Sequence, residues 1–95
     1  MKDVIILPDA EADILDIWDY GLTEWGVEQA IRYDAEIQKR IEGLATGLTA
    51  SRAVDEIAPG LRRALAGRHV VFFREDAAAV TVVRVLHQRM DVGRA

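Results

Sequence analysis

Cysteine is absent from this chain, proline occurs twice, and Ser51 is its one serine. Without cysteine there are no disulfides, no thiolate metal ligands and no thiol nucleophile. The two histidines, His69 and His87, are too few for a metal site at ligand spacing. No Ser/His/Asp arrangement can be assembled, and Gly60, Gly67 and Gly93 stand apart rather than in a phosphate-cradling loop. The first apolar run, Val4-Ile5-Ile6-Leu7, is far shorter than a membrane span or a signal-peptide core. These absences predict a soluble cytoplasmic protein with neither metal nor cofactor.

What remains is ordinary globular material, 51% hydrophobic and 29% charged over 95 residues, enough for one domain spanning 1–95. The net charge of −4 conceals an asymmetry. Residues 1–51 carry four bases against eleven acids, whereas residues 52–95 carry eight arginines against five acids and no lysine. Arginine offers a planar fork of donors suited to carboxylate or phosphate. An acidic half joined to an arginine-rich half implies either two faces with different partners or internal pairing between the halves. With a net negative charge and a pI near 5.1, direct binding to nucleic acid is not expected.

Hydrophobic spacing predicts an α+β chain in the order β-α-α-β-β-β. Val4–Leu7 is β-branched and stopped by Pro8, which itself suits the first turn of a helix. Ala10, Ile14, Ile17, Trp18 and Leu22 recur at helical spacing over roughly fifteen residues, with Asp9, Asp13, Asp16 and Asp19 on the other side. Trp25-Gly26 ends that helix. Val27, Ala30, Ile31, Ile37, Ile41 and Leu44 then mark a second, antiparallel one that frays between Gly43 and Ser51. Strands are expected over Leu61–Leu65, His69–Arg74 and Ala79–Leu86. Val70-Val71-Phe72-Phe73 puts bulk on both faces, so this strand should be central and covered twice. The helices can cover one face, and a partner chain or the C-terminal tail is the expected cover for the other.

The arginine-rich half holds the polar candidates Arg62, Arg63, Arg68, His69, Arg84, His87 and Arg89. A metal-independent ribonuclease needs an acid, a base and cations for the phosphate. Glu56 or His87 could be the acid and base, with Arg62, Arg68 or Arg84 as clamps. Equally, the arginines could pair with carboxylates, and His87 could bond the backbone near a strand end. Trp18 fits the core stripe, while Tyr20 and Trp25 are placed for partial exposure.

Three stretches, in this order, resemble the ParE branch of the RelE/ParE toxin superfamily. They are Pro8–Ile14 through Ile17-Trp18-Asp19-Tyr20 to Trp25-Gly26; Asp55-Glu56-Ile57 with Pro59-Gly60-Leu61-Arg62; and Gly67–Arg74 followed by Val82–Asp91. Where the family pattern often has Ser or Thr before the proline, Leu7 stands here, so the first helix lacks a side-chain cap. The resemblance implies a helix hairpin packed on a small antiparallel sheet and a type II toxin–antitoxin function. It further implies a ParD-like antitoxin forming a hetero-oligomer with this chain, and DNA gyrase as the target, bound without catalysis.

On that reading, antitoxin contacts are expected at Trp18, Tyr20, Arg62 and Arg74, and target contacts at Arg84, His87, Arg89 and Met90. RelE-like relatives instead cut mRNA on the ribosome, and Glu56, Arg68 and His87 could imitate a catalytic set of that kind. Those nucleases typically carry lysines on the second helix and a late Tyr or His; this chain keeps His87 but has only Lys2 and Lys39, and its tyrosines lie early. A third reading is a toxin-like domain that has lost potency and persists as an antitoxin-binding module.

Overall fold

A computed structural model of the chain describes residues 2–90, the side chain of Met90 excepted. The order is β1 (Asp3–Ile6), α1 (Pro8–Glu24), α2 (Val27–Thr46), β2 (Arg52–Ala53), β3 (Arg62–Ala66), β4 (His69–Glu75) and β5 (Ala79–His87), then a 3₁₀ turn over Gln88–Met90. The α+β architecture with its helix hairpin is the expected one. Two details differ. A two-residue strand, β2, adds to the edge, and the five-stranded sheet, in the order β1-β5-β4-β3-β2, is mixed because β1 pairs parallel with β5.

Local chemistry explains the element ends. Pro8 begins α1 with its missing N–H at no cost, and Leu7 supplies no side-chain cap. Between the helices Gly26 sits at φ +89°, which a side chain would strain, so two residues suffice to reverse the chain. Helix α2 runs beyond Gly43 to Thr46, and Gly47 then turns left-handed and stops it. The chain folds straight back: the Thr49 N–H donates to the Gly43 carbonyl and the Thr49 hydroxyl donates to that of Arg40, at 3.1 and 2.7 Å. In the β4–β5 turn, the Asp76 carboxylate accepts from the Ala78 and Ala79 N–H groups.

The core has two layers on either side of β4, whose residues His69 to Phe73 are all buried. On one face Ile37, Ile41 and Leu44 of α2 and Ala10 of α1 meet Ala64, Ala66, Val71, Phe73, Val80, Val82 and Val85. On the other, Val70, Phe72 and Leu86 lie beneath Val54, Ile57, Ala58 and Leu61. The expectation that a partner covers this second face is therefore corrected, because the β2–β3 connection does so, closed by Val54 N–H to Leu61 O and Leu61 N–H to Ala58 O. The C-terminal tail, the other cover expected, lies outside the described residues.

Trp18 is also corrected: it is half-buried and outside the cluster, whereas Ile14 and Ile17 pack against it. Among the described residues no helix is long and apolar enough to cross a membrane.

The close return at Gly43 yields a test of the packing. A Cβ there would lie 2.1 Å from the Thr49 hydroxyl oxygen. In an open helix interior Gly→Ala stabilises by about 1 kcal/mol. Here Gly43→Ala should instead destabilise by about 1–3 kcal/mol in urea unfolding, because the overlap forces the return loop outward. A stabilised variant would show that Thr49 does not seat there.

Candidate functional site

The helix stripe that builds the core also builds the site. Tyr33, Ile37 and Ile41 recur every four residues along α2. The two isoleucines end in the core, and Tyr33, one turn earlier, reaches past it to the β3–β4 turn. In the sheet, His69 at the start of β4 is paired directly with His87 at the end of β5. The two imidazoles are thus neighbours on the helix side, with ring centroids 5.3 Å apart. Tyr33 sits edge-on to His69 at 5.5 Å, Trp25 to Tyr33 at 5.2 Å, and Tyr20 to Trp25 at 5.8 Å.

This line of five rings borders a groove of about 600 Å³, with Asp13, Asp16, Ile17, Arg68 and Arg84 among its remaining walls. Glycine makes the junction possible: Gly67 adopts φ +60°, and a Cβ on it would lie 2.7 Å from the Tyr33 ring.

Hydrogen bonding assigns the protons. The Tyr33 hydroxyl accepts the Arg68 N–H at 2.9 Å, and its own proton has two acceptors within reach: His69 Nδ1 at 2.6 Å and the Ala66 carbonyl at 3.4 Å. The shorter contact takes it, leaving His69 as a neutral ring protonated at Nε2. Burial, helped by the charge of nearby His87, pushes His69 down to about 4 from its ordinary 6.5, in agreement with that state. Burial likewise raises Tyr33, which stays a phenol. His87 bonds the backbone close to its strand end: its Nδ1 accepts the Arg89 N–H at 3.2 Å, so its neutral form also carries its proton on Nε2.

On the α1 wall Asp13 takes three hydrogen bonds from β5. Arg84 donates from Nε at 2.7 Å and from Nη2 at 2.9 Å, and the Val85 N–H donates at 2.9 Å. The Asp13 hydrogen bond holds Arg84 above its ordinary range. Asp13, read from spacing as a solvent-side residue, is thus the half-buried link between α1 and β5.

The groove brings together Arg68, His69, Arg84, His87, Tyr20 and Trp25 of the residues singled out in the sequence. It excludes the rest. Glu56 is exposed on the β2–β3 connection, on the face turned from the helices, 4.0 Å from Arg52. Arg62 lies at the far end of β3, bonded to Ser51 and 3.8 Å from Glu75, and Arg74 donates to the Pro59 carbonyl. Trp18 does not line the groove, Arg89 is exposed on the 3₁₀ turn, and the Met90 side chain lies outside the described residues.

Tyr33 was missed as a site residue, and His69, named among the polar candidates, was given no role. Two signals could have found them, the four-residue step from Ile41 to Ile37 to Tyr33 and the near-symmetry of His69 and His87 about the Asp76–Ala78 turn. Among the described residues no three His, Asp or Glu side chains gather as a metal-binding group.

Comparison with known proteins follows the same outline. Residues 4–92 match the family described as ParE toxin of type II toxin-antitoxin system, parDE. Toxin ParE1 of Mycobacterium tuberculosis (strain H37Rv) is 45% identical over 91 residues, covering 95% of this chain and 93% of the relative. Toxin ParE1 of Caulobacter vibrioides is 41% identical over 91 residues, with 96% and 94% covered. Toxin ParE of Escherichia coli is 38% identical over 93 residues, with 97% and 90% covered. A solved structure of the chromosomal ParDE TA system from P. aeruginosa shares the fold at a TM-score of 0.77, over 92% of this chain and 96% of that one, at 21% identity.

The neutral His69 carries a pH signature. Its folded pKa lies below the unfolded value, so the unfolded chain takes up the proton first. The stability it contributes is complete above pH 6.5 and is lost as pH falls toward 4. Wild type should lose stability relative to His69→Gln across that window in thermal melts, and a pH-independent difference between the two would contradict the assignment.

Proposed function

The chain belongs to the ParE toxin family of type II toxin–antitoxin systems, and from that premise we propose that it inhibits DNA gyrase by binding and is neutralised by a ParD-like antitoxin. Gyrase and antitoxin would both meet it in the cytoplasm. The observation that carries binding over turnover is the separation of Glu56 from Arg68 and His87 by the thickness of the sheet. An acid–base pair must reach the same reacting atoms. The imidazoles add to this: with each Nδ1 engaged, both rings offer a donor, not a base, in their neutral forms.

The target surface in this reading is the end of β5 and the turn after it, with His87 and Arg89 as contacts and Arg84 oriented through Asp13. The antitoxin surface includes Trp18 and Tyr20 on α1. Arg62 and Arg74 are weaker candidates for it than charge alone suggests, since both already donate within the fold. Ribosome-dependent mRNA cleavage remains the second reading, favoured by the one fact that Arg68 and His87 do share a groove. It would need a carboxylate other than Glu56.

Purified, antitoxin-free protein should block supercoiling by gyrase and accumulate linear plasmid. Arg89→Glu should weaken inhibition at least about tenfold with an unchanged melting temperature, because among the described residues Arg89 contributes to the fold through its backbone N–H alone. Growth inhibition without any effect on gyrase, abolished by His87→Ala, would overturn the reading in favour of mRNA cleavage. A folded protein harmless in both assays would mark a toxin that has lost its potency.

A further inference from the structure

The groove collects hydrogen-bond donors with few acceptors to meet them. His69 bonds the protein through Nδ1, and no described side-chain nitrogen or oxygen is buried without a partner, so its Nε2–H opens on the groove. His87 is tied at Nδ1 to the Arg89 N–H and presents its Nε2–H at the same wall. Arg68 stands beside them, exposed, with its backbone fixed on the Tyr33 hydroxyl and no carboxylate pairing with it among the described residues. Next to these donors lies an apolar wall, the exposed rings of Tyr20 and Trp25 with Ile17.

We propose that this groove is a carboxylate-recognition site for a partner peptide. An acidic side chain of the peptide is held by Arg68, His69 and His87, and an apolar neighbour of that residue lies on Tyr20 and Trp25. The charges select this occupant. Arg84 is already neutralised by Asp13, and Asp16 places a negative charge on the opposite wall. One guanidinium and two imidazole N–H donors suit a single carboxylate. They do not suit the repeated charges of a nucleic-acid backbone, which the net charge of −4 would also repel. The site stands whichever target the toxin has, since it draws only on the groove.

Nitrogen-edited NMR of the two rings, together with peptide titration, tests it. Both free histidines should report a proton on Nε2; a proton on Nδ1 of either would remove the donor set. N-acetyl-Glu-Phe-amide should perturb both rings and bind at least about tenfold more tightly than N-acetyl-Gln-Phe-amide. Arg68→Gln, at an exposed position, should erase that preference, and Asp16→Asn should strengthen binding of the acidic peptide. Equal binding of the two peptides to the wild type, or signal changes away from the groove, would overturn the proposal. Indole-3-acetate binding more tightly than the acidic peptide would overturn the assignment of a peptide as occupant.

Discussion

The carboxylate of Asp13 accepts two hydrogen bonds from the Arg84 guanidinium and one from the Val85 N–H. It does so where β5 has outrun its neighbour: β1 pairs with it only as far as Val82, so Arg84 and Val85 lie beyond the end of that ladder. A strand edge leaves backbone donors without a ladder partner, and an unmet buried N–H costs about 1–3 kcal/mol. Asp13 meets that donor and fixes the arginine at the same time. The link fastens α1 to the end of β5, so it also sets the width of the groove and the exit direction of the chain after His87.

On that frame the aromatic line follows with little freedom. The strand pairing brings His69 against His87, the α2 stripe brings Tyr33 onto His69, and Gly67 leaves room for the phenol ring. Each imidazole has one polar contact, at Nδ1, and the Tyr33 hydroxyl is held between the Arg68 N–H and His69, which makes the groove a preorganised donor surface, not an adaptable patch. Preorganisation of this kind favours recognition, because little side-chain freedom is left to lose on binding. It disfavours proton shuttling through these imidazoles, which would require their Nδ1 contacts to break.

Much of this was legible in the sequence, and the misses share one cause. Helix and strand positions followed from spacing: Pro8, Gly26 and the Asp76–Ala78 turn delimit elements through local chemistry that tertiary context did not override. Burial of Val70–Phe73 on both faces was equally readable, but not its cover, since the 54–61 segment folds over the sheet through contacts between residues far apart in sequence. Asp13 was assigned to solvent because an acid on a helix is usually hydrated, and only the meeting with Arg84 reverses that. Glu56 and His87 looked like partners because chemistry, unlike topology, ignores which side of a sheet a residue lies on. Parallel pairing of β1 with β5 was likewise invisible, because a short strand carries no mark of its neighbour.

The most direct test of the account is a double-mutant cycle on Asp13→Asn and Arg84→Gln, read by urea unfolding and by inhibition of gyrase supercoiling. If Arg84 acts through its clamp to Asp13, the two changes should couple by about 1–2 kcal/mol in stability. Each alone should also weaken inhibition, with the double variant no worse than either. Additive losses of stability, or full inhibition by Asp13→Asn beside its loss in Arg84→Gln, would show instead that Arg84 meets the target directly and that the clamp does not shape the site.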